Sequence, residues 1–343
     1  MDSVFVVTVT YGNRFHLLRQ VIEAAFNEGV DKVIVVDNNS RPESRKRLRE
    51  YHRLNRDKVD VLYLSENLGS AGGFKRGLER AYNDPECEFI WLLDDDNLPM
   101  PGSLKTLKNF WKNLDLKNKK EKLALFSFRE DKHDKENLIK TLTSKRPELN
   151  LPRKNSFSAF HIFEFPKYIK RIVFRKLDIK RDYKMPVFGQ VPVATYGGLF
   201  FNKKLLDTIG YPKEEFYVYA DDHEWTYRIT RNGGKIILLT ESHIKDIEKP
   251  WYITQNDSGL SAFTPSNAFR IYYEARNGTY FFRKYFIDNK LMYYFNMLVF
   301  LLLVLIHNLI FSRDITGFKV LLMAIEDANK GKLGKNPLFQ LEN

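Results

Sequence analysis

The chain has 343 residues, 43% hydrophobic and 29% charged, a globular composition that excludes a wholly disordered polypeptide. Its formal charge of +12 at pH 7 favours an anionic partner: a nucleotide, a phosphate-linked substrate, an acidic membrane or a nucleic acid. The single cysteine, Cys87, excludes an intrachain disulfide and a Cys-based zinc cluster. The 27 Phe and 18 Tyr suit sugar-stacking surfaces or a membrane interface. The apolar run behind Met1 is short and has no basic flank, so no signal peptide is expected and the chain is expected to face the cytoplasm.

Taken in order, residues 3–10 predict a buried strand and Tyr11-Gly12-Asn13 a turn. Leu17, Leu18, Val21, Ile22 and Ala25 recur at helical spacing, with Asn13 as a start signal and Gly29 as a stop. Residues 32–36 predict a second strand, ending in Asp37. Residues 42–54 predict a strongly basic helix whose simplest role is a solvated outer face. Residues 59–64 predict a third strand. It runs into Ser65-Glu66-Asn67-Leu68-Gly69-Ser70-Ala71-Gly72-Gly73-Phe74, where glycines would let the backbone approach a ligand before a helix reaching Tyr82. This stretch has neither the Gly-Lys-Ser/Thr ending of a phosphate loop nor the Gly-x-Gly-x-x-Gly dinucleotide spacing.

The strongest local signal is Phe-Ile-Trp-Leu-Leu-Asp-Asp-Asp-Asn at residues 89–97. An apolar run that ends in three carboxylates reads as a buried strand whose carboxyl end opens onto ligand, as in open α/β sheets. Asp94 and Asp96 can offer oxygens to one hard cation, Mg²⁺ or Mn²⁺. A solvated acidic turn or a calcium-stabilised loop would also carry such residues. Strand and helix alternate about every thirty residues, which predicts a parallel, doubly wound sheet.

Further on, residues 101–114 predict a helix, residues 123–128 a strand, and residues 131–184 a basic insertion without period. Residues 187–201 recover strand character around Tyr196-Gly197-Gly198. A second acidic pair, Asp221-Asp222, opens a helix, and Asp221 with Glu224 has capping-box spacing. Residues 235–239 predict a strand leading to His243, and residues 266–286 an aromatic amphipathic helix. Residues 291–311 are almost wholly apolar and about long enough to span a bilayer; Lys290, Arg313, Tyr293 and Tyr294 at its ends suit an interfacial anchor. A buried core helix or a subunit contact would have the same composition. One acid set for a metal and another for a proton is what metal-assisted transfer to a hydroxyl needs.

Six motifs occur in order: Val-Thr-Tyr-Gly-Asn-Arg (9–14), Val-Val-Asp-Asn-Asn-Ser (35–40), Glu-Asn-Leu-Gly-Ser-Ala-Gly-Gly-Phe (66–74), Leu-Leu-Asp-Asp-Asp (92–96), Tyr-Gly-Gly-Leu-Phe-Phe (196–201) and Tyr-Ala-Asp-Asp-His-Glu (219–224). Over residues 3–285 the chain resembles the inverting GT-A glycosyltransferases of family two, in particular the galactofuranosyltransferase and rhamnosyltransferase branch. The resemblance implies an α/β fold: a Rossmann-like, mixed and mainly parallel sheet flanked by helices, with a C-terminal helical, membrane-associating extension. It implies a nucleotide-sugar-binding half over residues 1–128, a basic insertion over 129–185, an acceptor and catalytic-base half over 186–264, and a helical region over 265–343. It also implies that Asp94, Asp96 and His243 hold Mn²⁺ or Mg²⁺ and that Asp222 is the general base, with Asp221 as cap. Thr10, Arg14, Asp37, Asn67, Gly69, Gly72 and Gly73 would frame the nucleotide, and Asp95 would contact the donor sugar. Tyr196, Gly197, Gly198, Glu224 and Trp225 would face sugar and acceptor. UDP-galactofuranose or dTDP-rhamnose is the implied donor, with His243 tilting the choice to the furanose. A glycan or lipid-linked glycan at the cytoplasmic membrane face is the implied acceptor.

Three other readings compete. A sugar nucleotidyltransferase would carry a longer glycine-rich activation loop after the first strand than Tyr11-Gly12-Asn13-Arg14 provides. A nucleic-acid-binding module would find support in the basic helix alone, with no accompanying signature, so no nucleic-acid partner is expected. A non-catalytic membrane scaffold would have no need of Asp94, Asp96 and Asp222.

Overall fold

Residues 3–129, 135–144, 151–165, 185–248 and 259–340 are described by a computed structural model of the chain. Most of the basic insertion expected over 129–185 therefore lies outside the described residues. The first half alternates strand and helix as its apolar periods require: β1 (Val4–Thr10), α1 (Phe15–Asn27), β2 (Lys32–Asp37), α2 (Pro42–Leu54), β3 (Val59–Tyr63), α3 (Gly69–Asn83) and β4 (Phe89–Asp94). A short β5 (Asn97–Pro99), α4 (Ser103–Asn113), the one-turn α5 (Lys119–Lys122), β6 (Leu123–Phe128) and α6 (Lys135–Thr143) follow. The second half supplies β7 (Phe188–Val191), β8 (Leu199–Asn202), α7 (Leu205–Ile209), α8 (Asp221–Arg231) and β9 (Lys235–Asp246), and then the helices α9 (Ala268–Tyr285), α10 (Lys290–His307) and α11 (Thr316–Asn329).

The strands join in the order β3-β2-β1-β4-β8-β6-β9-β5, with β7 also on β9. Side-chain alternation splits each central strand between two cores. In β4, Phe89, Trp91 and Leu93 enter the core under α1 and α4, while Ile90 and Leu92 enter the core that receives α3. β1 to β4 are parallel, and their carboxyl ends lie level: Thr10 pairs with Asp37, Asp37 with Tyr63, and Val9 with Asp94. That alignment gathers the ends of four strands at one edge.

The second half makes the sheet mixed, as the resemblance implies, where the strand–helix period alone predicts a parallel one. β8 runs antiparallel to both β4 and β6, and β9 is antiparallel to β5 and β7 while parallel to β6. Strand direction here follows from the turn at 196–198, which sends β8 back along β4. The glycine-rich stretch also differs from expectation, because α3 already begins at Gly69. A Cβ at Gly73 would stand 2.6 Å from Val9 Cγ1, and one at Gly77 2.4 Å from Val7 Cγ1. These glycines let the helix lie directly on β1, so Gly73 serves helix–sheet packing and not approach to a ligand. Gly72 is buried as well, and its Cβ would meet Leu68 of the preceding turn.

A third core lies among the C-terminal helices. It is built from Tyr272 and Tyr273 of α9, Tyr293, Phe300 and Val304 of α10, and Leu321 and Ala324 of α11, with Phe157 and Phe160 from the insertion. It adjoins the sheet domain through the 216–220 loop, which matters for the site.

Candidate active site

β4 ends where its alternation meets the acids. Asn97, fully buried, closes the turn: its Oδ1 accepts from the Asp94 backbone N–H at 3.1 Å, and its Nδ2 donates to Asp96 Oδ1 at 3.2 Å. This turn sends successive carboxylates in different directions. The side chains of Asp94 and Asp96 are 35% and 20% exposed, whereas that of Asp95 is 5% exposed. Asp95 turns inward, accepting from Thr10 Oγ1 at 2.7 Å and from Arg14 Nε at 3.0 Å, with Arg14 Nη2 at 2.9 Å. The expected donor-sugar contact by Asp95 is therefore corrected. Asp95 is the anchor that fixes Thr10 and Arg14 at the edge of the site.

The open carboxylates are crowded. Burial, then the charges of Asp94 and Asp95, push the Asp96 carboxyl up to about 7, against a smaller opposing effect of Arg14. A third acid, Asp246, adds to that repulsion and shares the Asn97 amide, its Oδ1 lying 2.9 Å from Asn97 Nδ2. Buried Arg129 reaches both sides, with Nη2 2.6 Å from Asp246 Oδ1 and Nη1 3.5 Å from Asp94 Oδ2. Arg14 also spans two acids, lying 3.4 Å from Asp96 Oδ2 and pairing with Glu248.

His243 does not join this group. Side chains alternate along β9, so Ile244 and Asp246 face the turn while exposed His243 and Lys245 face away. The His243 ring stands edge-on to Phe128, and its carbonyl accepts from Met100 N–H at 3.0 Å and from the Ser103 hydroxyl. Among the described residues, no set of three His, Cys, Asp or Glu is arranged to hold a metal ion. His243 is thus not brought together with Asp94 and Asp96 in this arrangement, and Asp246 is the third acid that stands near them.

The turn 196–198 forms the opposite wall. A Cβ at Gly197 would stand 1.9 Å from Asn97 Oδ1 and 2.7 Å from Asp94 Oδ2, so no larger residue fits beside the acids. Gly198 has φ +101° and donates to Leu92 O at 2.7 Å. We expect Gly197→Ala to destabilise the fold by about 1–3 kcal/mol through overpacking, read from urea denaturation. An unchanged midpoint would show that the turn has room to spare.

At the ends of β2 and β3, Asn38 organises the start of α3. Its Nδ2 donates to Asn67 Oδ1 at 3.0 Å and Gly69 O at 2.9 Å, and its Oδ1 accepts from Leu68 N–H at 2.8 Å. Gly69 has φ +70° and abuts the Tyr217 carbonyl, where a Cβ would stand 2.1 Å away. Asp37 is fully buried, accepting from Ser40 N–H at 2.8 Å and pairing with Arg45. Thr10, Arg14, Asp37, Asn67 and Gly69 therefore do gather along one edge.

The second acidic pair is brought in by a strained loop. Tyr217, Tyr219 and Ala220 all have positive φ, near 60°, a conformation that costs L-residues about 1–2 kcal/mol each. Buried Asn277 of α9 holds them, its Nδ2 donating to the carbonyls of Phe216 (2.8 Å), Val218 (2.8 Å) and Tyr219 (2.9 Å). Ala71 N–H donates to Tyr217 O at 3.1 Å, tying the loop to α3. The expected capping box does not form: Ala220 stands at the N-cap, with no side-chain cap bond. Asp221 is buried and accepts from Ser70 Oγ at 2.9 Å, while half-buried Asp222 remains at the opening, accepting from His223 N–H at 2.7 Å.

Glu224 and Trp225 do not face this opening. Glu224 is buried, bonded to Arg228 and, at 2.8 Å, to the Tyr285 hydroxyl. Fully buried Trp225 donates to Gly210 O at 2.8 Å and packs on Tyr196 and Phe201. Their expected acceptor contacts are corrected to roles inside the fold. Buried Tyr196 stacks on Phe74 at 4.2 Å, and its phenol lies close to Asp221. With Gly197 beside Asp94, one dipeptide separates the two acidic pairs.

Burial and then Asp222 push the Asp221 carboxyl up to about 7, although Ser70 works against the shift. The unfolded chain loses this proton near the ordinary value of 3.8. The native chain keeps it to higher pH, so this group costs stability increasingly as pH rises from about 4 to about 7. Asp221→Asn removes that cost. The variant's melting temperature should gain on the native chain by a few degrees more above about pH 8 than below about pH 5. An equal difference at both pH values would contradict the assignment.

The residues to which the sequence assigned no role are Asn97, Arg129, Asp246, Ser70 and Asn277, Asn97 lying inside the 89–97 stretch and Ser70 inside the 66–74 motif. Asn97 directly follows the acids and was the most accessible of them; the others arrive by long-range pairing. Together the arrangement offers open hard oxygens at one wall and an ionisable pair at the other, across Tyr196-Gly197.

Comparisons with known proteins bear on the fold and on the class of the chain. Residues 5–120 match the family model described as Glycosyl transferase family 2. No curated protein matches the chain in sequence. Among solved structures, GalNAc-T7 with UDP, GalNAc and Mn²⁺ is similar at 14% identity and a TM-score of 0.50, over 81% of this chain and 51% of that one. The chain thus spans about half the length of that relative. The mannosyltransferase PcManGT from Pyrobaculum calidifontis, in complex with GDP-Man and Mn²⁺, is similar at 15% identity and a TM-score of 0.50, over 98% of this chain and 76% of that one. At such identities the likeness is one of fold, the mixed α/β GT-A architecture.

Proposed function

We propose that this chain is an inverting, metal-dependent glycosyltransferase that moves a sugar from a nucleotide-sugar donor to a glycan or lipid-linked glycan in cell-surface polysaccharide biosynthesis. The observation that carries the reading is the pair of open carboxylates, Asp94 and Asp96, at the carboxyl end of a parallel sheet and across one dipeptide from Asp221 and Asp222. Similarity of residues 5–120 to the family-two model supports the same class. UDP-galactofuranose and dTDP-rhamnose are the donors we favour. With His243 turned away, its tilt toward the furanose is withdrawn and the two stand level.

The carboxylates suit a hard divalent cation, Mg²⁺ or Mn²⁺. Their crowding raises the Asp96 carboxyl to about 7, a repulsion that a bound cation would relieve. Asp94 and Asp96 would hold it, with Asp246 in reach through the shared Asn97 amide. When bound, the ion would supply charge stabilisation to the departing nucleotide diphosphate. Thr10, Arg14, Asp37, Asn67 and Gly69 would frame the nucleotide at the adjoining edge.

Asp222 would take the proton from the acceptor hydroxyl as that oxygen attacks the anomeric carbon opposite the leaving group. Burial holds the proton on Asp221 to about pH 7, and Asp222 is the more exposed carboxyl of the two, set at the N-terminus of α8, an end that favours negative charge. Gly197 lets the 196–198 turn close directly against Asp94 and Asn97, and Tyr196 positions Asp221.

In our reading the enzyme works at a membrane surface, the cytoplasmic face, held there through α10 and its basic charge. The class is tested by acceptor-dependent release of nucleotide diphosphate from each donor, with Mn²⁺ and with EDTA. Release that needs the metal supports it. A metal-independent transfer of a nucleotidyl group would replace it with the nucleotidyltransferase reading.

A further inference from the structure

The apolar surface of α10 has no role in the site. After α10 the chain continues through a π-helical turn, Asn308–Ser312, and residues 291–312 contain no Asp, Glu, Lys or Arg. The stretch Lys290–Ser312 has a mean hydropathy of 2.2 and, at 1.5 Å per residue, a length of about 35 Å. Among the described residues the buried edge is formed by Tyr293, Asn296, Phe300, Val304 and Asn308, with Met297, Val299, Leu301 and Leu303 partly buried beside it. Around the rest, Leu298, Leu302, Ile306 and Ile310 are 55%, 48%, 51% and 60% exposed.

Three features decide what covers this surface. The first is breadth. A partner helix covers a stripe bordered by polar residues, whereas α10 is apolar on every side not packed on its own chain. A medium that surrounds it, acyl chain, matches that distribution.

The second is how the helix is fastened. Asn296 Nδ2 donates to Asn155 O at 2.9 Å, and its Oδ1 accepts from Ile162 N–H at 3.0 Å; Asn308 Nδ2 donates to Phe263 O at 2.8 Å. Lifting α10 away to cross a bilayer would strip these bonds and carry two bare amides into hydrocarbon. The helix is bound along its length to a water-facing body.

The third is charge. Lys290 and Arg313 are exposed at the two ends of the stretch, with Arg283, Lys284 and Lys319 on the flanking helices. Two acids lie at the same ends, Asp288, paired with Lys154 and Asn155, and exposed Asp314, which accepts from Thr316 N–H, so the basic residues outnumber them. With a chain charge of +12, anionic headgroups are the complementary surface.

We infer that α10 and its π-helical turn dock the protein in the plane of an anionic lipid leaflet, without crossing it. Leu298, Leu302, Ile306 and Ile310 lie among the acyl chains, and Lys290 and Arg313 at the headgroups. This deepens the membrane placement proposed above and rests on it, while it is independent of the transfer chemistry.

The test uses the full chain in vesicle flotation, with phosphatidylcholine–phosphatidylglycerol vesicles and with phosphatidylcholine alone. Binding should be at least about tenfold stronger to the anionic vesicles, and alkaline carbonate should release it. Leu302→Glu with Ile306→Glu should weaken binding by at least about tenfold, with Leu54→Glu, an exposed residue of α2, as the unaffected control. If the double variant fails to fold, Leu298→Gln is read in the same assay with the same direction expected. Retention after carbonate would overturn the in-plane reading in favour of a span. Absence of vesicle binding, with a dimer in light scattering that the glutamates dissociate, would overturn it in favour of a second copy. Nucleotide-dependent thermal stabilisation of the same variants should be unchanged, so loss of membrane binding and loss of the transferase reading are told apart.

Discussion

Asp222→Asn is expected to slow sugar transfer by roughly 10²–10⁴-fold while leaving donor binding unchanged, the scale on which a positioned general base contributes. Asparagine keeps the shape and the hydrogen bond from His223 N–H but cannot take a proton. The informative partner is Asp221→Asn. Asp221 is buried against Ser70 and keeps its proton to about pH 7, so a neutral amide resembles its working form. That variant should retain most of its activity near neutral pH. The reverse pattern, with Asp221→Asn inactive and Asp222→Asn active, would move the base inward by one residue. Both rates would be measured as acceptor-dependent release of nucleotide diphosphate at saturating donor.

Asp96→Ala should abolish the metal-dependent part of nucleotide binding, weakening the nucleotide–Mn²⁺ complex by about a hundredfold or more. Asp96 is the open acid that three neighbouring carboxylates crowd, and Asn97 links it to Asp246. Asp246→Ala should weaken the same binding, whereas His243→Ala should not, because its ring stands against Phe128 on the far side of β9. Calorimetry with Mn²⁺ present and chelated separates these outcomes. A His243→Ala loss equal to that of Asp96→Ala would show that β9 turns over when metal binds.

The parts of this arrangement that were legible in the sequence are those written in one short stretch. An apolar run ending in acids announces both β4 and the opening at its end, and repeated strand–helix periods announce the parallel half of the sheet. Four of the six family motifs fall inside residues 5–120, and the two around Tyr196 and Asp221 lie beyond them. What escaped depends on pairing between distant segments. β9 was expected to end at residue 239 because Thr240, Glu241 and Ser242 are polar. Thr240 and Ser242 are nonetheless buried and paired, Ser242 with Ser127 and Ser103, so the strand runs on to Asp246. His243 is expected as a ligand from the resemblance alone, and only the extension of β9 to Asp246 brings that carboxylate to Asn97. The glycines of α3 misled for a related reason. Their spacing is that of a helix face pressed on a sheet, and only the packing on Val7 and Val9 tells that from a loop folded round a ligand. Asn277 carried no local sign at all; its role exists because three carbonyls of a left-handed loop converge on one amide.

If Asp94 and Asp96 hold a metal that binds a nucleotide, then UDP, dTDP, GDP or CDP should stabilise the whole chain against heat with Mn²⁺ and not with EDTA. A rise of several degrees is expected for one nucleotide, present with Mn²⁺, absent with EDTA and absent in Asp96→Ala. No shift with any nucleotide, or an equal shift in the presence of EDTA, would contradict it.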